Sequence, residues 1–139
     1  MGAWGAGTFD NDDAADWAGE LLGSADLAPA RQALAATTDS DDWLEIPEGA
    51  RAVAAAAAVA ASFDGDMRGL PEEVVEWLED HAGAGTLADA RLAIDALERV
   101  ASVDSELREV WLEAANGPAW VEEIARLVYR LARVVGDTL

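Results

Sequence analysis

Apolar residues recur along this chain at intervals of three and four almost throughout, and no stretch alternates apolar with polar as a half-buried strand does. The spacing predicts an all-α chain. A first helix is expected over 11–22, with Asp10 as its cap, Gly23 as its stop and Ala14, Trp17, Ala18 and Leu21 inward. A second, over 27–36, follows a cap at Asp26 and leads into an acidic connection, 37–46, that contains Trp43 and Leu44. The third, over 48–63, is apolar on nearly every face, which a surface helix could not tolerate and a central one requires. A fourth over 71–81 turns Val74, Val75, Trp77 and Leu78 inward, and a fifth opens on the capping-box pair Thr86 and Asp89 with Leu87, Ala90, Ile94, Leu97 and Ala101 as its stripe. The sixth is expected over 105–115 with Asn116-Gly117 as its stop, and the last over 118–135, where Arg126, Arg130 and Arg133 fall in the final turns and favour the helix dipole. Pro29, Pro47, Pro71 and Pro118 each stand where such a pattern begins, the position at which a missing N–H is harmless.

These elements compose a compact single-domain bundle of five to seven short helices, residues 1–139, around the alanine-rich helix 48–63. The glycine-rich segment 1–10 is expected to fold back so that Trp4 and Phe9 cover the bundle. An apolar fraction of 52% with only 6% aromatic residues calls for helices that approach closely rather than for bulky wedges. There is no cysteine, so disulfides and thiolate chemistry are excluded, and the fit is to a reducing compartment. The chain opens with neither a basic region nor a signal-length apolar run, and its longest apolar stretch, 52–61, is half the roughly 20 residues a spanning helix needs. A cytoplasmic protein with no membrane association is expected.

Charge changes the picture most. Twenty-eight acids face nine basic residues, all arginine, for a formal charge of −19. Residues 1–70 hold 13 of the acids and 71–139 hold 15, so the acidity belongs to the whole surface and not to a tail. Such a field repels nucleic acid and anionic lipid and speeds encounter with a basic protein. Lysine-free acidity can also be a matter of composition alone, in which case it says nothing of function.

The opening run Met1-Gly2-Ala3-Trp4-Gly5-Ala6-Gly7-Thr8-Phe9-Asp10, continuing through Asn11, Asp12 and Asp13 to Trp17, resembles the signature of a bacterial family, domain of unknown function 4259. The resemblance extends over the chain through Leu44-Glu45-Ile46-Pro47, the alanine-rich helix, Pro71-Glu72-Glu73-Val74, and Ser105-Glu106-Leu107 ahead of Trp111. It implies a small bacterial cytosolic protein of helical character, and carries over no catalytic residue, ligand or activity.

The chemistry-bearing patterns are few. Gly2, Gly5 and Gly7 could cradle an anion at a helix start, but they follow no strand, lack the P-loop lysine and run into Asp10, Asp12 and Asp13. A calcium loop counted from Asp10 would need an oxygen ligand and a glycine where Ala14 and Ala15 stand, and a bidentate acid where Leu21 stands. His81 is the single histidine, Leu78 occupies the place of the glutamate that a di-metal helix pair would need, and no serine lies in a Gly-x-Ser-x-Gly setting. No catalytic residue, metal ligand or cofactor is assigned on these grounds. Trp4 and Trp43 differ from the other tryptophans in lying in loops beside acids: packed inward they anchor those loops, as is expected of Trp43, and exposed they form the aromatic patch that carries binding energy at interfaces. The candidate interaction residues are therefore Trp4, Asp10, Asp12, Asp13, Asp41, Asp42 and Trp43. The expected function is that of a non-enzymatic acidic interaction protein binding a basic macromolecular partner, not nucleic acid and not a membrane. The alternative is a small-ligand or metal-binding protein using the glycine-rich opening and its Asp cluster.

Overall fold

In the computed structural model, residues 8–9, 11–40 and 42–138 are described, without the side chains of 137 and 138. They form seven helices: α1 (Asp12–Leu22), α2 (Ala28–Thr38), α3 (Ile46–Asp64), α4 (Glu72–Asp80), α5 (Leu87–Val100), α6 (Glu106–Glu113) and α7 (Gly117–Thr138). The fold is all-α, as the spacing requires. Among the described residues the only strand-like pairing is one parallel bridge between Leu44 and Ser105.

Local chemistry accounts for the helix boundaries. The Asn11 side chain accepts from Ala14 N–H at 2.8 Å and caps α1; Asp10, the expected cap, lies outside the described residues. Asp26 accepts from Ala28 N–H at 2.8 Å at the start of α2, Thr86 and Asp89 exchange the two bonds of a capping box at the start of α5, and Ser105 caps α6. Gly65, at φ 72°, takes the left-handed conformation that closes α3. The four prolines all lie within one residue of a helix start.

Two expectations at the C-terminal end need correction. Asn116-Gly117 does not stop α6, which already ends at Glu113; Gly117 instead opens α7. A Cβ on Gly117 would lie 2.2 Å from the Trp111 carbonyl oxygen, so this elbow admits glycine alone. Because α7 runs on to Thr138, Arg126 and Arg130 sit in its middle and not in its last turn. They serve side-chain partners rather than the helix dipole.

Helix α3 is the axis of the molecule. Twelve of its residues are buried, and it packs on every one of the other six helices. Alanine makes this geometry reachable, since a side chain of one methyl lets six neighbours approach the same backbone. The bulk that fills the space comes from outside α3: Trp17, Leu21, Leu34, Leu97, Leu127 and Leu131 are fully or almost fully buried. The larger aromatics also satisfy their polar edges. Trp17 Nε1 donates to the Pro29 carbonyl and Trp77 Nε1 to that of Ser24, each at 3.1 Å, while His81 stacks on Trp77 with ring centres 3.9 Å apart. His81 Nδ1 lies 2.7 Å from the Trp77 carbonyl oxygen, so the single histidine closes a helix end.

One carboxylate is buried to the same degree as the core. Asp89 completes its capping box with Thr86 and also receives Arg31 Nε and Nη2 at 2.8 and 3.0 Å, tying α5 to α2. Burial alone would raise its pKa, but the hydrogen bonds from Arg31 and Thr86 outweigh that and hold it below the ordinary carboxylate value.

Candidate interaction surface

The acidic connection between α2 and α3 is fixed from two sides. From the last turn of α5, the Arg99 guanidinium donates to the carbonyls of Ser40 at 3.3 Å and of Asp42, and also to the Asp104 carbonyl at 3.1 Å. One cation therefore holds the connection 39–45 against the connection 101–105. One residue further, the backbones pair directly: Leu44 N–H donates to Asp104 and Glu106 N–H donates to Leu44, both at 2.8 Å. The Glu106 side chain then accepts from Ile46 N–H at 3.1 Å and satisfies the first free donor of α3.

This short extended stretch sends alternate side chains to opposite sides. Leu44 is completely buried and Trp43 is 44% exposed. The expectation that Trp43 pins the loop is thus wrong in its residue: Leu44 and Arg99 are the anchors, and Trp43 is held outward by them. The same connection exposes Asp39, Asp42 and Glu45, and the facing connection exposes Asp104 and Val103, which at 71% exposure is the most exposed large apolar side chain described. None of these four carboxylates forms an ion pair among the described residues. The two joined connections thus expose one aromatic and one aliphatic side chain along with four acids that have no ion-pair partner among the described residues.

The same α5–α6 connection borders a second apolar feature. Leu112 and Val121, 52% and 46% exposed, line two adjoining hollows of about 400 Å³ each where α6 turns into α7. The floor is Trp120, which stacks on Trp111 with ring centres 6.4 Å apart and planes within 7°.

The other expected site residues are placed elsewhere or not at all. Asp12 is exposed and Asp13 half-buried in the first turn of α1, where acids favour the helix dipole, and α1 packs on α2, α3 and α4. Trp4, Asp10 and Asp41 lie outside the described residues. Phe9 does fold back, its ring centre 6.5 Å from that of Trp17. Among the described residues no group of three or more acidic, histidine or cysteine side chains could hold a metal ion, and no helix is long and apolar enough to cross a membrane.

Sequence reasoning missed a charged cluster at the C-terminal end of α3. Arg130 binds Asp64 through two bonds of 2.7 and 2.8 Å and also reaches the Asp66 carbonyl. Arg68 binds Asp66 through two of 3.0 and 2.8 Å, and Arg126 binds Glu123, which accepts from the Thr8 hydroxyl at 3.0 Å. A cleft of about 280 Å³ lies among them. Hydrogen bonds from Arg68 hold Asp66 far below the ordinary carboxylate range, and those from Arg130 keep Asp64 low against the burial that would raise it. Each guanidinium here already has a carboxylate, so the cluster is a fastening of 64–70 and Thr8 onto α7. Only the short-range Asp64 and Asp66 turn was legible, in their side chains accepting from Asp66 and Arg68 N–H.

A family model described as "Domain of unknown function (DUF4259)" matches residues 2–123. The chain belongs to this family. The matched span takes in the loop 39–45, the connection 101–105 and the α6–α7 elbow, and it ends within α7 short of Arg126 and Arg130. Neither comparison, with curated proteins or with solved structures, finds a match for this DUF4259 chain.

Proposed function

We propose that this chain is a non-enzymatic, acidic interaction protein that binds a basic protein partner through the surface around Trp43. The observation that supports the reading is the over-determined loop: backbone pairing, Arg99 and the buried Leu44 all act to keep a half-exposed tryptophan facing out. Folding alone gives no reason to hold a large aromatic there, whereas a rigid, pre-positioned tryptophan beside uncommitted acids suits a partner's lysine or arginine, through ion pairs and the ring face. The charge of −19 adds long-range attraction for the same partner.

The test uses the intact chain as bait in lysate from its source, with recovery at low and at high salt, followed by titration of the purified partner. Trp43→Ala is expected to weaken binding by about 2 kcal/mol or more, the scale of an interface hot spot, without loss of fold. A basic partner held as tightly by Trp43→Ala as by the original chain would defeat the proposal.

A further inference from the structure

Where α6 turns into α7, exposed apolar side chains border two open hollows. One is lined by Leu112, Gly117, Pro118, Val121 and Glu122, the other in part by Ala101, Arg108, Leu112, Trp120, Val121 and Ala125. Leu112 and Val121 belong to both and so form the ridge between them. Neither is needed to close the core: each is about half exposed, while Trp111, Trp120 and Ile124 on the same two helices are buried. A protein that stands alone gains nothing from holding two such side chains together in water. The groove is also rigid. Its floor is the Trp120 ring stacked on Trp111, and one wall is Gly117, where the approach to the Trp111 carbonyl leaves no room for a side chain. A surface fixed in this way loses little freedom when a partner seats on it.

Charge decides the occupant. Glu122 lines the first hollow, Glu109 stands one helical turn before Leu112 on α6, and Glu98 stands three residues before Ala101 at the end of α5. All three are exposed, and none forms an ion pair among the described residues. Arg108 is the only cation in the lining of either hollow. A second copy of the chain would bring the same acids and a charge of −19, and nucleic acid or anionic lipid is repelled likewise. Two hollows astride a ridge match apolar side chains spaced three or four apart on a helix.

We propose that this groove docks an amphipathic basic helix of a protein partner, with two large aliphatic side chains one turn apart in the hollows on either side of Leu112 and Val121, and its lysines or arginines toward Glu98, Glu109 and Glu122. The assignment rests on the reading above for the basic character of the partner and adds a second contact, next to the connection 101–105 that carries Val103 and Asp104.

The probe is a synthetic helical peptide of about 18 residues, with leucine every three or four residues along one face and lysine elsewhere. It is titrated into the whole chain by calorimetry at about 0.15 M salt and its site is mapped by amide NMR. A saturable complex is expected, with shifts centred on Ala101, Leu112, Val121 and Glu122. Leu112→Asn combined with Val121→Asn, which alters no charge, is expected to weaken it at least about tenfold, as is replacing the peptide's leucines by glutamine. Leu22→Asn, at an exposed position on α1, which packs on α2, α3 and α4, is expected to change nothing. No saturation up to about 1 mM, shifts centred elsewhere, equal binding of the leucine-free peptide or full affinity in the double variant would each overturn the groove. Should the double variant fail to fold, Ala125→Gln extends an exposed α7 side chain at the second hollow: loss of affinity there supports the proposal and retention overturns it. The synthetic probe reads this groove without the partner sought through Trp43, so either proposal can fail while the other stands.

Discussion

Two connections in this molecule are held down by arginine, and they are held in opposite ways. Arg130 secures 64–70 by binding the carboxylate of Asp64, so cation and anion neutralise one another. Arg99 secures 39–45 and 101–105 by binding only carbonyl and hydroxyl oxygens, those of Ser40, Asp42, Asp104 and Ser102. The first arrangement consumes acids. The second leaves them free: Asp39, Asp42 and Asp104 stay unpaired at the surface although a cation sits within their own loops. A binding surface for a basic partner needs this second kind of support, because an internal arginine that took the carboxylates would compete with the partner for them.

The comparison can be broken most severely at Arg99. Arg99→Met removes the hydrogen bonds that join the two connections, at an expected cost of about 3 kcal/mol, read by chemical denaturation, with limited proteolysis showing cleavage within 39–45. Arg130→Met leaves the one-third-exposed Asp64 without its partner and is expected to cost less, about 2 kcal/mol, with cleavage moving to 64–70.

A pH titration sharpens the same contrast. Asp64, Asp66 and Asp89 have folded-state pKa values below the ordinary 3.8, so the unfolded chain takes up their protons first. Their stabilisation is complete above the ordinary value and is lost as pH falls below it toward the folded-state values. Thermal melts should therefore drop steeply below about pH 4, and Asp64→Asn should show a shallower drop than the original chain. The Arg99 fastening, made to carbonyls, contributes nothing to that slope. The smallest effect is expected at Trp43→Ala: a change in stability of about 0.5 kcal/mol, set against the large loss of partner binding.

How much of this could be read from sequence depended on how far apart the interacting residues lie. The helices, the Thr86–Asp89 box, the Ser105 cap and the central place of α3 all follow from patterns within a few residues, and each is found. The elbow at Gly117 was misread because Asn-Gly reads as a stop whether a helix ends or begins there; only the closeness of the Trp111 carbonyl decides. Trp43 and Leu44 could not be told apart as anchor and outlier until Ser105 was known to pair beside them, 61 residues away. The partners of Arg126 and Arg130 include Asp64 and Asp66, which no local rule connects to α7.

The central position of α3 also bears on how the domain comes apart. Each of the other six helices rests on the same nineteen-residue segment, although α5 also packs closely on α2 and α7. The chain has no natural seam: dividing it before, within or after 46–64 separates some helices from the surface they share. Loss of α3 would therefore leave every other helix without the face it packs on.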